Sequence, residues 1–115
     1  MAASVAAAHH MYLAYSDLDN RAVMLVEVFE QGNGLRVDDT PKQLIQGLNE
    51  PTHIHYCFMN RVLYVCDKAE REIRSYEISF LESGNPIAKN GLTMVSDIDC
   101  AGIHLDKFGR LFFTN

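Results

Sequence analysis

A chain of 115 residues with 48% hydrophobic and 22% charged side chains has the size and composition of one globular domain. Fifteen acids against ten bases give a net charge of −5 with no basic run, so phosphate-driven nucleic-acid binding has no electrostatic footprint. No stretch approaches the roughly eighteen apolar residues of a membrane span, and the apolar start, Met1 to Ala8, lacks the basic flank of a signal peptide. A cytoplasmic setting is the expectation.

In chain order, the apolar segments are short and strand-like. Tyr12-Leu13-Ala14-Tyr15 comes first, followed by a polar turn from Asp17 to Arg21 and a second strand from Val23 to Phe29. Gln31-Gly32-Asn33-Gly34 is a turn, and Pro41 to Leu48 holds either an outer strand, Lys42 to Gln46, or one or two helical turns. Thr52 to Cys57 precedes a continuous apolar run, Val62-Leu63-Tyr64-Val65-Cys66, which reads as a strand covered on both faces. The turn Asp67 to Glu72 leads into the alternating strand Ile73 to Phe80, and Ser83-Gly84-Asn85-Pro86 into an outer strand at Leu92 to Val95. Ala101 to Leu105 and Arg110 to Thr114 repeat the opening of the middle unit.

The spacing carries more information than any single element. Asp67 and Arg71 follow Asp17 and Arg21 by fifty residues, and Leu111-Phe112-Phe113-Thr114-Asn115 starts a third copy. Four short strands in a period of about fifty residues is the unit of a β-propeller, in which each blade buries its faces against its neighbours. The expected fold is all-β: two four-stranded blades over residues 1–48 and 49–98, and the start of a third over 99–115, within one partial propeller domain.

Leu48 to Ile78 resembles a blade of the senescence-marker-protein/gluconolactonase (regucalcin-like) family, and almost equally of strictosidine-synthase-like proteins. The carriers are the Gly47-Leu48-Asn49-Glu50-Pro51 loop, the Leu63-Tyr64-Val65-Cys66-Asp67 run and the segment Arg71 to Ile78. Gly102-Ile103-His104-Leu105-Asp106 and Gly109-Arg110-Leu111-Phe112-Phe113 look like the opening of the next blade. The resemblance implies a six-bladed propeller, and in its lactonases a divalent cation held by an Asn and an Asp just before two inner strands. Here those places hold Pro51-Thr52-His53 and Cys100-Ala101-Gly102, which lack the oxygens a hard cation needs.

The remaining chemistry is sparse. His53 and His55 share one strand face, and His104 repeats the place of His55, so with Thr52 these are the candidate channel-facing ligand-binding residues. His9 and His10 near the start read as solvent-facing. The recurrence of Asp17, Arg21, Asp67 and Arg71 marks structural turns, with each Asp bonding backbone N–H groups and each Arg able to pair with it. Cys57, Cys66 and Cys100, odd in number and without C-x-x-C spacing, indicate neither a disulfide framework nor a zinc knuckle. No catalytic residue and no cofactor is expected in this chain.

These residues favour a non-catalytic binding module with a protein or small-molecule ligand, one that self-associates or meets missing blades through exposed strand edges. The alternative is part of a lactonase- or esterase-type hydrolase, with Ca or Zn, whose catalytic residues lie in other blades.

Overall fold

The computed structural model describes the backbone of residues 2–7, 10–105 and 110–114, and the side chains of 11–104 and 110–111. Its described residues form eleven strands: β1 (Ala2–Ala7), β2 (His10–Asp17), β3 (Ala22–Gln31), β4 (Gly34–Val37), β5 (Lys42–Ile45), β6 (Pro51–Cys57), β7 (Val62–Asp67), β8 (Glu72–Phe80), β9 (Pro86–Ser96), β10 (Gly102–Leu105) and β11 (Leu111–Thr114). His9, Asp106, Gly109 and Asn115, which the sequence also singles out, lie outside the described residues.

All pairings are antiparallel, and they make three sheets in sequence order. The first runs β1-β2-β3-β4, with β5 also on β3; the second runs β6-β7-β8-β9; the third is the hairpin β10-β11. This is the all-β, propeller-type repeat that the period predicts. The outer position is one 11-residue strand in the second sheet, whereas in the first the same edge is divided between β4 and β5.

Burial explains why the units stack. Tyr12, Ala14, Val23, Leu25 and Ile45 on one face of the first sheet meet Ile54, Leu63, Val65 and Ile78 of the second in a single buried cluster. The opposite face of the second sheet, through Cys66 and Ile73, packs on Ile98, Cys100 and Ile103 at the entrance to the third. The middle sheet is thus apolar on both faces, which is what the unbroken run Val62 to Cys66 requires. Completely burying residues of the size of Leu63 and Ile54 contributes about 1.5–3 kcal/mol each.

Three local features differ from the sequence expectations. Pro41 to Leu48 holds the strand β5 and no helical turn, because Ile45 is buried opposite Val23 and ladder pairing wins over weak helical periodicity. β1 and β4 add strands where the sequence shows none; the Ala-rich β1 has no apolar/polar alternation to read, and β4 is exposed along its length. Cys66 and Cys100, both fully buried, form a disulfide that closes a loop of 34 residues between the second and third units. A crosslink of that span contributes about 3–4 kcal/mol in the chain-entropy account. Sequence spacing hides it, because only the fold brings β7 beside the segment entering β10.

Candidate functional site

The four turn residues of the two longer units, Asp17, Arg21, Asp67 and Arg71, divide the labour unexpectedly. Asp67, at the end of β7, is 1% exposed. Its carboxylate accepts the backbone N–H groups of Asn49 at 2.9 Å, Glu50 at 2.9 Å and Glu70 at 3.4 Å. The connection that enters β6 is therefore clamped to the end of the strand that pairs with β6.

Asp17 makes the equivalent local bond, accepting the N–H of Asn20 at 3.2 Å, and its second oxygen accepts the Asn20 side-chain amide at 2.7 Å. These bonds, the side-chain one first, hold the Asp17 carboxyl below its ordinary value.

Neither Arg21 nor Arg71 reaches its aspartate. Both adopt positive φ, 49° and 56°, closing the turns with bonds back to Leu18 O and Lys68 O. Their carbonyls then accept N–H groups from the segments leading to the next unit: Leu48 to Arg21 at 3.1 Å and Ile98 to Arg71 at 3.2 Å. The expected charge pairing is replaced by a backbone role, because the left-handed residue turns its carbonyl outward toward the next connection. Each turn thus holds its unit's outgoing chain by the Arg carbonyl, and Asp67 also holds an incoming one.

The channel-edge candidates are brought together only in part. His55 lies opposite Tyr64 and His53 opposite Cys66, so both point to the face that meets the third unit. The rings of His55 and His104 meet edge to face with centroids 5.6 Å apart. Burial, and secondarily the neighbouring His104, pushes the His55 pKa below its ordinary 6.5. The Nδ1 of His53 is buried with no hydrogen-bond partner in the structure.

Thr52 does not join them. It occupies the irregularity between Pro51 and His53, donates its hydroxyl to Cys66 O at 3.4 Å, and receives the Ser16 hydroxyl on its carbonyl at 3.4 Å. Among the described residues no group of three or more His, Cys, Asp or Glu side chains is arranged to hold a metal ion. What this edge offers is a pair of imidazoles from two units, able to donate and accept hydrogen bonds.

Sequence reasoning missed the buried disulfide beneath these histidines and the carbonyl role of the arginines. The recurrence of Arg four residues after each Asp was the available signal for the second. Comparison of the chain with family models, with curated proteins and with solved structures finds no match, so the site rests on its own residues.

Proposed function

We propose that this chain is a non-catalytic interaction module built of propeller-type blades, a degenerate counterpart of the gluconolactonase-type propellers, which takes a protein or small-molecule ligand at its inner edge. The observation that supports this most is the state of Thr52. It stands where the resemblance calls for a metal-binding Asn, it offers only a neutral hydroxyl, and that hydroxyl is turned to a backbone carbonyl. The corresponding place in the third unit is Ala101, which has no side-chain oxygen. Asp67, the one buried carboxylate among the described residues, is committed to three backbone N–H groups.

The His55–His104 pair supports ligand contact by hydrogen bonding in place of hard-cation chemistry. Among the described strands β11 pairs with β10 alone, and its other edge supports association with a further strand. The buried Cys66–Cys100 disulfide favours an oxidising setting over the cytoplasm that the sequence suggests. Among the described residues no helix is long and apolar enough to cross a membrane.

Thermal melting in a calcium titration tests the reading. A native-state calcium site raises stability by about 2.7 kcal/mol at a hundredfold excess over Kd. The expected result is an unchanged Tm up to millimolar calcium; a saturable rise would restore the metal-dependent hydrolase.

A further inference from the structure

The two Asp turns share their Asp and Arg at matching positions, yet they hold different things. Glu70 N–H bonds to Asp67 three residues behind it, and Asn20 N–H bonds to Asp17 three residues behind it. Asp67 additionally grips two consecutive N–H groups, of Asn49 and Glu50, one on each carboxylate oxygen and both at 2.9 Å. Asp17 accepts from Asn20, with the Asp19 N–H as a lesser local neighbour, and it sits on the wall of an open groove of about 500 Å³. Tyr15 and Leu18 line that groove from the first unit, and Pro51 and Thr52 from the second. A carboxylate carries about four lone-pair sites, and the local bonds of this turn do not fill them.

We propose that Asp17 and this groove form a peptide-binding site, which takes an extended or turning polypeptide segment through two consecutive backbone N–H groups. The chain contains its own example of the bound state, since the Asn49-Glu50 segment on Asp67 shows the geometry a ligand adopts on Asp17. Charge-assisted bonds to backbone N–H groups are the strong kind, and Tyr15 and Leu18 supply apolar contact beside them. Asp19 lies on the same groove, so a neutral or basic segment is favoured over an acidic one. The site is separate from the inner-edge histidines, and it stands or falls independently of how that edge is read.

The probe is the acetylated and amidated peptide Gly-Leu-Asn-Gln-Pro, which copies residues 47–51 with Glu50 neutralised because of Asp19. It is titrated into the ¹⁵N-labelled full chain up to ~10 mM, a range that covers weak peptide affinities. Saturable shifts confined to the amides of Tyr15 to Asp19 and Thr52 are expected. Asp17→Asn keeps the shape of this exposed turn, and it weakens binding by about tenfold or more because the charge-assisted acceptor is lost. Methylating the backbone N–H groups of the peptide's Asn and Gln, which copy those of Asn49 and Glu50, abolishes the shifts while leaving the protein untouched. Absence of saturable shifts, or binding indifferent to both Asp17→Asn and the methylated peptide, overturns the proposal.

Discussion

Asp67 and Asp17 share a sequence pattern and differ in burial, and burial decides how much each matters. Replacing Asp67 by Ala leaves the N–H groups of Asn49, Glu50 and Glu70 without their acceptor inside a nearly closed site. The expected loss is about 2–4 kcal/mol in denaturant unfolding, from stranded buried donors. Asp17→Ala, at an exposed turn, is expected to lower stability by much less; equal losses would show that burial is not the deciding difference. The turn itself is legible in the sequence, since only a repeated structural feature brings Asp-x-x-x-Arg back after fifty residues. The job of the arginine is not legible. It depends on a positive φ and an outward carbonyl, and neither leaves a mark on residue type beyond the recurrence itself.

At the scale of elements, the joint between β6 and β10 carries a pH dependence. His55 titrates below 6.5 in the folded chain because burial, and then His104, disfavour its charge. The unfolded chain therefore takes up this proton first as pH falls. Stability from this residue is fully present above about 6.5 and is lost as pH drops from there to the lowered folded value. The facing groups are Tyr64 across the strand pair and His104 on β10. Urea unfolding at a series of pH values is expected to show falling stability below 6.5 in the native chain. The slope should be largely removed by His55→Gln and only partly by His104→Gln, since burial is the larger cause.

The sequence places most of these strands because their apolar runs are long and bounded by turn residues. It leaves out β1, whose Ala-rich composition carries no alternation, and β4, which is exposed along its length. It also sets His53, His55, His104 and Thr52 on one channel edge. The irregularity at Thr52 turns that residue to backbone partners, and the face of β6 sends the histidines toward the third unit.

For the molecule as a whole, two apolar clusters and one disulfide join three units, and the Asp and Arg turns fasten the connections between them. The period of about fifty residues makes this organisation readable from sequence, because a stacked repeat must restate its contacts in every unit. Function is less readable, since blades present many sites on one scaffold. Asp67 and the Arg carbonyls fasten consecutive units.

Native-state hydrogen exchange tests it at single amides. The N–H groups of Leu48, Asn49, Glu50 and Ile98 lie in connections, where exchange close to the unstructured rate is the ordinary expectation. Here all four are predicted to exchange about a hundredfold or more slower than an open chain. In Asp67→Asn, Asn49 and Glu50 should lose protection together while Ile98, held by Arg71, keeps it. Free exchange at all four amides in the native protein would contradict this fastening.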